Sequence, residues 1–267
     1  MKRFLALLIL CVLALPAGAQ TVRLRLATTT STQDSGLLGV LNPPFEKLTG
    51  ITVDVIAVGS GKAITLGQNG DVDVLLVHDR KAEDQFIAQG YGVNRRDVMH
   101  NDFVIVGPTA DPAKISAATS SADAFARIAA ASAPFVSRGD ASGTNTKEID
   151  LWAAASRKPA GSWYKEAGQG MGAVLTMSND IGAYTLSDRA TWIAMKDKLP
   201  ALKILSEGDP FLFNPYGVIA VNPQKQPAAN YMAAMQYIAW VTSVQGQKVI
   251  REYRLSNQQL FTPDAVK

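Results

Sequence analysis

The sequence predicts an α/β fold, and three observations point there. Apolar, β-prone segments alternate along the chain with segments of helical composition. Residues 73–77 form a nearly continuous apolar run after a predicted helix, the mark of a strand in a parallel sheet covered on both faces. Three predicted strands end in small, hydroxylated turns that open helices, at residues 28–32, 59–61 and 138–144. A chain of 267 residues with 47% apolar content can bury a sizeable core in one large or two medium domains.

The N-terminus is read separately. Lys2 and Arg3 precede an apolar run over 4–15, which is too short to span a bilayer. Pro16 breaks the run, and Ala17, Gly18 and Ala19 make a small-residue cleavage site. Residues 1–19 are therefore expected to be a secretory signal peptide, and the mature protein to be periplasmic. The single cysteine, Cys11, lies in this leader behind Leu10, which is not the small residue that lipoprotein processing needs. The mature chain is expected to be cysteine-free, with no disulfide. The formal charge of +3 falls close to neutral once Lys2 and Arg3 are removed. That excludes a broad basic field for nucleic acid or a membrane surface.

The elements follow in order. Val22, Leu24 and Leu26 alternate with Arg23 and Arg25 in a first strand. A helix is predicted from Asp34 to Leu41, with a restart at Pro43 and Pro44 and an end at Gly50. A second strand covers 51–58, a helix 62–68, the third strand 73–77 and a short helix 83–89. Residues 95–100 are polar, and a short strand is predicted at 103–106. An alanine-rich surface helix follows at 121–131. Phe135 and Val136 lead into the third turn, with helical composition from Lys147 to Ser156. A glycine-rich loop covers 159–172. A helix at 173–180, strands at 183–186, 202–206 and 216–221, and a helix from 188 complete this part. Residues 228–253 are predicted helical with a break near Gly246; Tyr231, Met235, Ile238 and Trp240 share a core-facing side.

The three turns carry the chemistry. Small residues at a helix N-terminus leave backbone N–H groups free where the helix dipole is positive, which makes an anion seat. Arg138 adds a planar guanidinium suited to oxyanions. Enzyme machinery is thin. There are two histidines, His78 and His100, no G-x-S-x-G elbow, no P-loop and no Cys/His cluster for a metal cation.

These residues resemble a known family. The run Thr28, Thr29, Thr30, Ser31, Thr32 with Ser35 and Gly36, then Val58, Gly59, Ser60, Gly61, then Asp73 to His78, Asn101, Asp102 and Phe103, are similar to the tungstate-binding periplasmic proteins of the TupA type. So are Arg138, Gly139, Asp140, Ser142, Gly143, Thr144, Lys147 and Glu148, and Asp188 and Arg189, while Trp240 to Ser243 with Gly246 to Lys248 and Leu260 to Pro263 resemble the ends of many solute-binding proteins of ABC importers. The resemblance covers nearly the whole mature chain. Two positions depart from it: Asn145 stands where the family has His, and Ala190 where it has Gly.

The resemblance implies a two-lobed periplasmic-binding-protein fold of type II, with the ligand in the interlobe cleft. It divides the chain into 20–105 plus 216–267 and 106–215, with crossings near 103–107 and 214–218. It implies a non-enzymatic solute-binding protein of an ABC importer. Such a protein captures tungstate or molybdate, needs no cofactor, works as a monomer and delivers to a membrane permease. The implied contacts are Thr29, Thr30 and Ser31 in the first turn, Ser60 in the second, and Arg138, Ser142, Gly143 and Thr144 in the third. It does not choose among the three adjacent hydroxyls. Two other readings compete. A phosphate carrier would need a carboxylate acceptor for the phosphate proton, from Asp79 or Asp140. A secreted serine hydrolase would need a His or Lys base within about 3 Å of a serine.

Overall fold

The computed structural model describes residues 21–266, so the expected leader lies outside it. The strands are β1 (Arg23–Thr29), β2 (Thr52–Val58), β3 (Val74–Val77), β4 (Gly92–Pro108), β5 (Phe135–Ser137), β6 (Tyr164–Glu166), β7 (Thr185–Asp188), β8 (Leu202–Ser206) and β9 (Phe213–Val221). The helices are α1 (Thr30–Asp34), α2 (Leu38–Thr49), α3 (Ser60–Asn69), α4 (Arg80–Ala88), α5 (Ser121–Ala130), α6 (Gly143–Ala154), α7 (Met171–Ile181), α8 (Arg189–Met195), α9 (Tyr231–Val241) and α10 (Val244–Glu252). Short strand pairs close the C-terminal segment.

The parallel strands run β2, β1, β3, and β9 joins β3 antiparallel. Strand β3 reads as an unbroken apolar run because it is covered on both faces. Val74 and Leu76 point into a core with Leu24, Phe45 and Tyr237, while Leu75 and Val77 point into another with Ile64, Phe86 and Ile219. Each such buried side chain contributes roughly 1.5–3 kcal/mol. A third core packs Phe125, Phe135 and Trp152 edge to face beneath Tyr184. Strand β4 belongs to both halves of the molecule. It pairs with β9 as far as Asp102 opposite Phe213, then with β7 from Phe103 opposite Asp188 and with β8 beyond.

Several elements differ from expectation, each for a physical reason. Helix α2 runs through Pro43 and Pro44 without a restart. The carbonyls that lose an N–H partner belong to Gly39 and Val40, which are exposed and can turn to water. Strand β4 absorbs the polar stretch 95–100, because register shifts at Val93/Arg96 and Asp97/Met99 break the period-2 pattern that would have marked it. Helices α3 and α6 begin at Ser60 and Gly143, several residues before their first good helix formers. The break between α9 and α10 falls at Thr242 and Ser243, where the Ser243 hydroxyl accepts the Gly246 N–H. Gly246 lies inside α10 because a Cβ there would collide with the Trp240 carbonyl.

Candidate anion-binding site

The first turn follows β1. Thr29 has extended backbone, and its hydroxyl accepts the Thr32 N–H at 3.2 Å, capping the five-residue helix α1. A second bond at 2.8 Å ties it to the Thr32 hydroxyl. The next two hydroxyls face elsewhere: Ser31 Oγ and Thr30 Oγ1 each accept from the Arg138 guanidinium at 3.4 Å. Residues 107 and 108 positions apart in sequence thus meet, and the first turn touches the third.

The second turn, Gly59 to Gly61, lies against the third. Gly61 N–H donates to the Ala141 carbonyl at 3.2 Å. A Cβ on Gly61 would stand 2.8 Å from that same oxygen, so only glycine lets the two backbones approach. Ser60 is fully buried at the start of α3, and its hydroxyl has no partner.

The third turn leaves β5 and reaches α6 through Gly139 and Ala141, both at positive φ. Ser142 caps α6 by accepting the Asn145 N–H at 3.2 Å, which leaves its own proton free to donate. Thr144, in the first helical turn, is buried with an unpartnered hydroxyl. Gly143 packs on the carbonyl of His78, 2.7 Å from where a Cβ would sit. Arg138 is 1% exposed. Its Nη2 donates to Asp140 Oδ2 at 2.5 Å, while its Nε has no partner.

All eight residues singled out from the sequence therefore lie in three turns that converge, with Arg138 as the link. Ser60 Oγ, Arg138 Nε and Thr144 Oγ1 are buried and unpaired, and each can donate a proton. An orphaned buried polar group costs roughly 1–3 kcal/mol, so the cluster is built for an acceptor. Asp140 supplies one balancing carboxylate. Nearby Asp34 is pushed upward by burial and by the charge of Asp188, with Arg138 pulling the other way.

Sequence reasoning missed Asn145 as a support of the turn. Its side chain accepts the Ala141 N–H at 3.3 Å and donates to Ser137 Oγ at 3.4 Å. The signal was its place three residues after a serine cap, where side chains reach back. His78 lies beside the site. The imidazole is buried and stacked on Tyr216, with Nδ1 3.0 Å from Asn214 Oδ1. Burial pulls its pKa down, against the pull of Asp188 and Asn214, and keeps the ring neutral.

A cleft of about 650 Å³ does not coincide with the place where the turns meet. It is lined by His78, Asp79, Arg80, Gly143, Lys147 and Phe213 among others. Neither histidine has a serine hydroxyl as hydrogen-bond partner among the described residues; His100 pairs with Asp264. Among the described residues, no cluster of three His, Cys, Asp or Glu could hold a metal ion, and no helix is long and apolar enough to cross a membrane.

The model of the PBP superfamily domain matches residues 16–245. The chain is 47% identical to the tungstate-binding protein TupA of Peptoclostridium acidaminophilum, over 91% of this chain and 86% of that protein. The crystal structure of the tungstate ABC transporter from Geobacter sulfurreducens is 57% identical, with a TM-score of 0.80, over 86% of this chain and 98% of that one. The tungstate-binding protein TupA from Desulfovibrio alaskensis G20 is 45% identical, with a TM-score of 0.75, over 91% and 99%.

Proposed function

The chain belongs to the TupA family of solute-binding proteins of ABC importers, within the PBP superfamily, and on that premise we propose that it captures tungstate in the site formed by the three turns. Family membership places it among transport components rather than enzymes, with the oxyanion as cargo and not as cofactor. Molybdate, of nearly the same size and charge, is the close competitor. The observation that carries this reading is the convergence of unpaired donors on Arg138.

A tetrahedral dianion without a proton only accepts hydrogen bonds. The site offers it Ser60 Oγ, Thr144 Oγ1 and Arg138 Nε as unpaired donors. Ser142 and Ser31 add hydroxyl protons, and the start of α6 at Gly143 adds backbone N–H groups. We assign Thr30 and Ser31 to the ligand and Thr29 to the cap of α1, since its hydroxyl is already doubly bonded. Charge-assisted bonds are worth roughly 1.5–3 kcal/mol each. Five to seven of them reach the ~12 kcal/mol of a nanomolar complex once ordering costs are subtracted.

Hydrogen phosphate fits less well, because it needs a free carboxylate oxygen. Asp140 is engaged by Arg138 and by the Ser142 N–H, and Asp79 by Ala82 N–H and Thr146. The lobes are 20–105 with 216–267, and 106–215. They part near the place where β4 changes partner, to admit the anion, and close over it. The mature protein works as a monomer in the periplasm, after removal of residues 1–19, and hands its cargo to a membrane permease. Thermal unfolding tests the class: tungstate at ~1,000 times its Kd adds about 4 kcal/mol of stability. A melting temperature unmoved by tungstate, molybdate and phosphate alike would refute it.

A further inference from the structure

Away from the place where β4 changes partner, where Arg189 meets Asp102 and Asn214 meets His78 and Asn101, a further side-chain bond joins the facing halves. Thr146 in α6 donates its hydroxyl to Asp79 Oδ2 at 2.7 Å. The other oxygen of Asp79 accepts the Ala82 N–H at 3.1 Å and caps α4. One carboxylate thus serves its own helix with one oxygen and the opposite half with the other. Helices α4, of nine residues, and α6, of twelve, bring their N-terminal turns together here. Two positive dipole ends would repel, and the carboxylate between them offsets that. Asp79 is 8% exposed, so the bond is largely withdrawn from water and less screened than a surface contact.

We propose that the Asp79–Thr146 bond is a latch that sets how long the closed protein keeps its anion. The proposal rests on the reading that the halves part to admit tungstate. Neither residue belongs to the donor set around Arg138; both are positioning residues that act on release. The bond exists only when the halves are together, so it stabilises the closed form and leaves encounter with the open form unchanged. Recognition stays with the three turns.

The test is stopped-flow binding and release of tungstate by the full mature chain. Thr146→Val keeps the shape of the side chain, removes the hydroxyl and leaves the α4 cap intact. The dissociation rate should rise about tenfold, the value of one charge-assisted hydrogen bond at the low end of its range. The association rate and the melting temperature of the ligand-free protein should stay at wild-type values, and Thr146→Ser should restore slow release. Wild-type release rates in Thr146→Val would overturn the latch while leaving the tungstate reading intact. So would a slower association, or a fall in ligand-free melting temperature that Ser does not rescue. A wild-type protein that binds no tungstate would overturn the functional reading, and the latch with it.

Discussion

Arg138, almost fully buried, and Arg95, largely buried, each meet carboxylates, and their surroundings differ. Arg95 gives its Nε to Glu83 at 2.7 Å and its Nη1 to Asp97 at 2.6 Å. Two carboxylates thus meet one guanidinium, over Gly217, where any side chain would collide with Glu83. Burial pushes the Glu83 carboxyl up to about 7 even with Arg95 beside it. Arg138 has one carboxylate partner, Asp140, and otherwise faces the hydroxyls of Thr30 and Ser31. The unpaired atoms differ as well. Around Arg95 they are one acceptor, Glu83 Oε1, and one donor, Arg95 Nη2. Around Arg138 they are its own Nε and the hydroxyls of Ser60 and Thr144, each able to donate, with His78 Nε2 as an acceptor beside them. A buried arginine alone does not make an anion site; an excess of donors over carboxylates does.

Arg138→Ala should sharpen the contrast most. It removes two charge-assisted bonds to the ligand, so tungstate affinity should fall about a hundredfold or more, on the order of 3 kcal/mol, in a protein that still folds. Titration calorimetry with a parallel melting curve checks both. A destabilised protein with unchanged affinity would make Arg138 a structural partner of Asp140, on a par with Arg95. Arg138→Lys keeps the charge without the fork and should retain an intermediate affinity.

Glu83→Gln probes the other pair. The folded-state pKa of Glu83 lies above that of the free side chain, so the folded protein holds this proton more tightly than the unfolded chain. Its contribution to stability is therefore fully present below about pH 4.5 and is lost as pH rises to about 7. The loss should be on the order of 3 kcal/mol. Glu83→Gln should flatten this part of the stability profile, measured by denaturant unfolding across pH, and leave tungstate affinity unchanged. An unaltered slope would mean that Arg95 keeps Glu83 ionised.

Ser60→Ala should have the smallest effect. It removes one donor from the site and an unpaired hydroxyl from the core, so affinity should drop about tenfold while the ligand-free protein melts no lower. Equal affinities in calorimetry would take the second turn out of the site.

The turns were legible because each places small hydroxylated residues directly after an apolar strand, and both signals are local. Arg138 could be read as the site's cation because no other arginine falls inside the turns. What joins the turns was not legible. The meeting of Arg138 with Ser31, and of Gly61 with Ala141, depends on chain crossings that periodicity does not encode. Glu83 stands among charged neighbours, Lys81 and Asp84, so nothing local marks it as buried; packing of α4 against β4 and β9 buries it. The polar part of β4 was hidden by its bulges, and Gly246 read as a helix breaker when close packing against α9 requires it.

The most direct measurement is calorimetric titration of the mature protein with tungstate, molybdate, sulfate and phosphate under identical conditions. A site of hydroxyl, amide and guanidinium donors around one arginine, with Asp140 engaged by Arg138, predicts tight one-to-one binding of tungstate, molybdate close to it, and much weaker phosphate at a pH where phosphate carries a proton. Phosphate binding as tightly as tungstate, or no heat with any of the four, would contradict it.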